Sequence, residues 1–347
     1  MELAFENNPD LRLAELGVKK AELQMEDIID LVDYFPTYGR VTTEYSQVLN
    51  TYYQAEVGLK TAQRAELAAK DQIATEVIAA YTEALINDNN RQSLQRTLEN
   101  TRDLHNVSNV ANRVGFISPY DYETSTTGLQ QMEEGLRAAQ LAYEGSIANL
   151  RTLLGQSPDW KPVLTSEALI TDYARGELSN EIIIGASESV LVWTKEALLD
   201  IQKNQEYWFV PGLSREMQEV NLDTAKLDYA DAKRTARLMI EQMYYGIDTI
   251  EGQIKMAELT YQKALKDEEV ARLKYDLGLI PRVSLVPGAE SLEGKVIAVS
   301  EASMNLSNLK LQLANLKAQY AFMTGRDVFD EADWTAPPVV GSETEEI

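Results

Sequence analysis

The sequence predicts an all-α protein: long antiparallel coiled-coil helical hairpins in a two-fold internal repeat. Three observations carry this. The prolines leave two long gaps, from 36 to 119 and from 211 to 281, and a proline inside a helix costs roughly 3 kcal/mol, so these gaps permit very long helices. Within the second gap Ala232, Ala236, Met239, Met243, Ile247, Ile250, Ile254, Ala257, Tyr261 and Ala264 step by threes and fours, the spacing of a coiled-coil seam. Finally, RVGFISPYD (113–121) and DLGLIPRVS (276–284) share a Gly-apolar-Ile core, with their glycines 163 residues apart.

Taken in order, residues 2–33 supply the first helix, with Leu11, Ala14, Val18, Ala21, Met25 and Ile28 on one face. A loop rich in aromatic residues follows near 34–53, with room for one short strand hairpin in 36–53. Residues 53–114 and 216–276 predict two helices of about 90 Å each at 1.5 Å per residue. Each ends at a glycine suited to a left-handed cap, with proline close behind, so each break reads as the tip of a hairpin. The returning arms are predicted at 121–154 and 289–323. They are shorter, about 50–55 Å, so each long helix is expected to pair with two shorter helices stacked end to end. Residues 2–33 and 187–207 are the candidates for the second partner.

The organisation is therefore a first hairpin repeat (1–155), a connector (156–186) with a short strand around 181–184, a second repeat (187–325) and an acidic tail (326–347) expected to be disordered. Tyr81 and Tyr244 share the 163-residue offset, and LGVKKAEL (16–23) aligns with VNLDTAKL (220–227). Gly115 to Gly155 spans 40 residues and Gly278 to Gly325 spans 47. The difference is one heptad, read as one added coiled-coil repeat in the second returning arm.

Composition narrows the function. With 32 basic and 55 acidic residues the formal charge is −23, which repels phosphate backbones and makes nucleic acid a poor partner. Cysteine is absent, which excludes disulfides, thiolate catalysis and Cys-based metal sites. His105 is the only histidine and reads as a seam or surface residue. Acidic pairs such as Glu133–Glu134 and Glu268–Glu269 read as solvated coiled-coil faces. No phosphate loop, dinucleotide fingerprint, zincin motif or nucleophile elbow occurs, so no enzyme activity, cofactor or metal is expected. Met1 runs directly into the polar, acidic ELAFENNPDL, so either the protein is cytosolic or this chain begins downstream of a removed or missing leader.

The quoted segments ENNPDLRLAELGVKKAELQ (6–24), RVGFISPYDYETSTTGLQQ (113–131) with LLG (153–155), and YDLGLIPRVS (275–284) resemble the TolC-like outer-membrane efflux proteins. The resemblance implies a homotrimeric periplasmic tunnel, the exit duct of an efflux pump or type I secretion system. It implies a location in the outer membrane and periplasm, and an inner-membrane pump as partner. It also implies that a periplasmic adaptor (membrane fusion) protein docks at the tips, here Val114, Gly115, Phe116, Ile117, Leu277, Gly278, Leu279 and Ile280, with Asp121 in tip gating. The second tip departs from the pattern, with Ser284 where the first has Asp121.

A second departure lies at the membrane end. A TolC-like barrel needs two strands per repeat, and a spanning strand takes about 9–11 residues. Residues 204–219 are too few for two, so a TolC-like α-barrel protomer with little or no β-barrel is expected, and membrane contact is left open. Tyr34, Phe35, Tyr38, Tyr45, Trp208 and Phe209 are read either as packing over helix ends or as a membrane-end cap. The competing functional reading is a non-conducting coiled-coil scaffold or spacer of the cell envelope.

Overall fold

The computed structural model describes residues 1–35, 42–164, 175–206, 214–285, 289–326 and 328. Among them there are eight α-helices and no strand: α1 (Glu2–Asn7), α2 (Pro9–Ile29), α3 (Thr43–Arg113), α4 (Pro119–Leu153), α5 (Leu178–Glu188), α6 (Val190–Glu206), α7 (Arg215–Asp276) and α8 (Leu292–Met323). The two long helices have 71 and 62 residues, far beyond the dozen or so of an average globular helix.

Four expectations are corrected. The single helix over 2–33 is two, because Asn8 accepts from the Asp10 amide and Pro9 takes the first helical position. That pairing starts a new helix where the apolar period alone runs on. The strand at 181–184 is instead part of α5. The long helix begins at Thr43, ten residues before the predicted 53, so 43–53 forms helix and no strand hairpin. The seven extra residues of the second returning arm are not an added heptad: α4 has 35 residues and α8 only 32. They lie in the tip loop. Ser118 caps α4 three residues after Gly115, whereas the Gly294 amide donates to Ser291, thirteen residues after Gly278.

All four hairpin arms end in the same way. Gly115, Gly155, Gly278 and Gly325 have φ of 76°, 62°, 71° and 65°. In each case the glycine amide donates to the carbonyl three residues back, and the next amide to the carbonyl five back, as in Phe116 to Ala111 (2.8 Å) and Leu279 to Lys274 (2.8 Å). This pair of hydrogen bonds satisfies two of the four terminal carbonyls of the helix, and glycine adopts that φ without strain.

The chain divides into two compact units that cut across the hairpins. One comprises Met1–Thr75, Thr171–Tyr244 and Lys317–Ile347; the other Glu76–Ile170 and Tyr245–Leu316. In the second unit, His105 lies against Tyr122 and Ser125, Arg102 pairs with Glu133 (2.9 Å), and Arg91 stands over Tyr143. Falling numbers on α3 meet rising numbers on α4, so the two are antiparallel. Lys274–Glu290 (2.7 Å), Lys295–Asp267 (3.9 Å) and Lys310–Glu258 (3.8 Å) set the same relation for α7 and α8. Exposed pairs of this kind contribute little stability; here they report register. A third antiparallel contact joins α3 to α8, where Asn89 donates to Ser307 (3.2 Å) and Asn308 (3.0 Å), and Arg96 to Ser300 (2.7 Å).

In the first unit α6 lies antiparallel on α7, through Lys195–Asp228 (2.8 Å) and Val192 packed with Ala232 and Ala236. With α8 on its later turns, α7 thus has the two shorter partners that its length demands. α5 approaches α7 and the end of α8 closely: a Cβ on Gly185 would stand 2.3 Å from Ile240 Cδ1 and 3.0 Å from the Met323 carbonyl.

Candidate functional site: the hairpin tips

At the first tip, Ser118 accepts from the Asp121 amide while the Asp121 carboxylate accepts from the Ser118 amide (3.2 Å) and hydroxyl (2.7 Å). This capping box with Pro119 restarts the helix at once after the turn. The predicted gating residue Asp121 is thus held as the capping partner of α4. The second tip has Pro281 and Ser284 at the matching positions and no such pair. The next helix begins only after Ser291; Lys274 pairs with Glu290 (2.7 Å), and Arg282 lies beside Glu293 (3.6 Å) and Asp103 (4.0 Å). The hydrogen bond from Lys274 holds the Glu290 carboxyl below its usual range.

The tips display apolar side chains, though not all those expected. Phe116 is 85% exposed and Leu279 70%, and Val114 and Leu277 are also exposed. Ile117 and Ile280, named with them as docking residues, are half-buried. The composition of the loops hid a longer feature. Val107, Val110 and Val114 form an exposed stripe leading to Phe116, and Val270, Leu273 and Leu277 form another leading to Leu279. Every member repeats at the 163-residue offset. Asn106 and Ala111 complete a shallow apolar groove along the first stripe. Isolated exposed apolar residues need no explanation, but a contiguous stripe marks an interaction surface. The 3-4 spacing ahead of each glycine was the signal that would have found it.

At the opposite end of the long helices, in the first unit, the rings of Tyr34 and Tyr45 stack at 4.8 Å and Phe35 meets Tyr52 edge-on at 5.2 Å. The Tyr45 hydroxyl accepts from the Tyr34 amide (2.7 Å) and donates to the Tyr34 carbonyl. Burial, then Glu56 and Tyr52, push the Tyr53 phenol up. These rings fasten Tyr34 and Phe35, shortly after α2, onto the first turns of α3. Tyr38, Trp208 and Phe209 lie outside the described residues. Thirteen residues (30–42) separate α2 from α3 and eight (207–214) separate α6 from α7. Each is short of the two strands of roughly 9–11 residues that a spanning hairpin requires.

Sequence reasoning missed one further cluster, also in the first unit. Glu181, on α5, is buried, and its carboxylate accepts from Arg326 (2.6 Å), the Gly176 amide (2.9 Å) and the Tyr320 hydroxyl (2.9 Å). Burial alone would raise its pKa. The hydrogen bonds from Arg326, Gly176 and Tyr320, with the Arg326 charge, more than offset that and hold it below the usual carboxylate range. Val328 follows, buried, its amide on Asp71 of α3 (3.3 Å). No helix is long and apolar enough to cross a membrane, and no group of three acidic or histidine side chains fit to hold a metal occurs among the described residues.

No protein-family model and no curated sequence matches the chain. Solved structures do. The chain is similar to the Campylobacter jejuni CmeC outer membrane channel, with a TM-score of 0.66, 15% identity, and 94% of this chain and 85% of that one covered. It is similar to the open state of the Neisseria gonorrhoeae MtrE outer membrane channel, with 0.62, 14%, and 95% and 89% covered. The outer membrane protein VceC from Vibrio cholerae gives 0.58, 13%, and 94% of both chains. At this identity the likeness defines the fold: an all-α double hairpin of the kind found in outer-membrane channels. It is the TolC-like fold that the tip motifs resemble, here with inter-helix segments of thirteen and eight residues at the end away from the tips.

Proposed function

We propose that the chain is the exit-duct subunit of a TolC-like efflux or type I secretion system. In this reading three copies form a tunnel in the periplasm below the outer membrane, and the protein conducts rather than catalyses. A periplasmic adaptor protein, linked to an inner-membrane pump, docks at the tips. The observation that carries the reading is the apolar stripe written at both tips, at matching positions, on the fold of outer-membrane channels. A helical hairpin of a partner is the natural ligand for two such stripes, because apolar anchors at helical spacing seat a helix.

Replacing Phe116 and Leu279 together by aspartate tests the docking. Both side chains are exposed, so the helical circular dichroism should be unchanged, while co-purification of the adaptor after cross-linking in the envelope should fall at least tenfold. Undiminished capture by the double variant would refute tip docking. One observation favours a second reading, a non-conducting scaffold or spacer of the envelope. The thirteen- and eight-residue connections leave little chain for a membrane-spanning barrel.

A further inference from the structure

The end of α8 delivers the chain to an open groove in the first unit. Gly325, at φ 65°, lies so close to α5 that a Cβ on it would stand 2.4 Å from Glu188. One residue on, Arg326 donates to the buried Glu181 (2.6 Å). Val328 is 2% exposed, and its amide donates to Asp71 of α3 (3.3 Å). These fastenings fix the point from which residue 329 starts. That point is the groove itself, because Asp71, Phe322 and Gly325 belong to its wall.

The groove has a volume of about 790 Å³ and draws on α1, α3, the α5–α6 junction, α7 and the end of α8. Phe5 and Phe322 are half-buried in its wall, while Leu67, Leu191 and Met239, from three different helices, are exposed around it. Single exposed apolar residues are ordinary, but three converging on one hollow mark a surface that binds something. Its cations are Lys70 and Arg64. Lys70 has no ion pair or hydrogen bond among the described residues, and Arg64 lies over Trp193 (4.8 Å) and donates to the Ser187 carbonyl (3.4 Å). The carboxylates beside them are Asp71, engaged by Val328, and Glu188.

We infer that residues 329–334 (FDEADW) fill this groove as a latch, with Phe329 and Trp334 against the apolar wall and Asp330, Glu331 and Asp333 beside Lys70 and Arg64. The chemistry matches: an aromatic ring at each end, three acids between them and no base. Six residues reach about 20 Å when extended, enough to cross a hollow of this size from Val328. Attachment at Val328 also raises the effective concentration of this occupant to the order of millimolar, which favours it over a free ligand. The latch ties α1, α3, α6 and α7 to the end of α8, and it holds whether or not copies assemble into a ring.

The chain has no cysteine, so one placed at Met239 reports on the groove. In the otherwise intact chain, Met239→Cys should react with a maleimide about tenfold more slowly than when Phe329→Asp and Trp334→Asp are added, the effect of uncovering about one aromatic side chain's worth of apolar surface. Leu227→Cys, elsewhere on α7 and exposed, should react at one rate in both backgrounds. Lys70→Glu should speed labelling at Met239→Cys about threefold, the size of one exposed ion pair. Equal labelling with and without the two aspartates, in chains of unchanged helical spectrum, overturns the latch. So does protection that disappears on dilution, which would assign the occupant to a second copy. A further pair does not depend on the aspartate variant folding. Leu67→Cys with Trp334→Cys should close a disulfide within one chain on mild oxidation, and Leu227→Cys with Trp334→Cys should not; failure of the first pair to close overturns the latch as well.

Discussion

Glu181→Leu is expected to destabilise the chain by about 3 kcal/mol, read as a lower urea midpoint. Removing one partner of a buried ion pair costs roughly 3–5 kcal/mol, because the surviving charge stays desolvated. Arg326 keeps some exposure, with 28% of its side chain accessible, which places the estimate at the low end. The substitution also strands the Gly176 amide and the Tyr320 hydroxyl, both of which donate to Glu181. The sign of the pH dependence follows from the depressed folded pKa. The contribution is fully present above the unfolded glutamate pKa of about 4.3 and fades as the pH falls below it through the folded value. The gap between wild type and variant should therefore be constant from pH 7 to 5 and shrink below about pH 4.3. A gap that widened on acidification would show that Glu181 is not held as the ion.

Gly185→Ala should also destabilise, by about 2 kcal/mol, against the usual direction for a helical glycine. Alanine is worth about 1 kcal/mol over glycine in a helix interior. At Gly58, where an added Cβ meets nothing within 4 Å, that gain should be realised. At Gly185 the methyl would press on Ile240, which has no exposure, and on the Met323 carbonyl. Neither can withdraw cheaply, and overpacking of this kind costs about 1–3 kcal/mol. Thermal unfolding of the two alanine variants separates the effects: Gly58→Ala is expected to rise in Tm and Gly185→Ala to fall. A rise at both positions would contradict the close approach of α5 to α7 and α8.

Much of the fold was legible because its signals are local. A glycine needing a positive φ, a proline behind it and a 3-4 apolar period placed both tips. They placed the end of each arm within a residue or two, and α7 began within one residue of its predicted start. The signals failed where neighbours decide the outcome. The segment TEYSQVLNTYY, rich in tyrosine and threonine, reads as loop, yet it is helical because Tyr45 and Tyr52 pack on Tyr34 and Phe35. The run EIII reads as strand, since a short apolar run has no period to distinguish strand from helix. It folds as helix because Glu181 and Gly185, one turn apart, are buried together. The shift in the second tip was written in residues already quoted, the missing capping pair at Pro281 and Ser284, but a match of glycine spacings alone cannot show where a helix restarts. At the candidate site, the tip glycines and exposed Phe116 and Leu279 were found from sequence. The valine and leucine stripes behind them required knowing which helix face lies bare.

Native mass measurement of the purified chain, combined with projection images of the same sample, tests the duct most directly. The account predicts a homotrimer whose end-on views are rings with a central opening. A monomer that shows no ring at high concentration would contradict it.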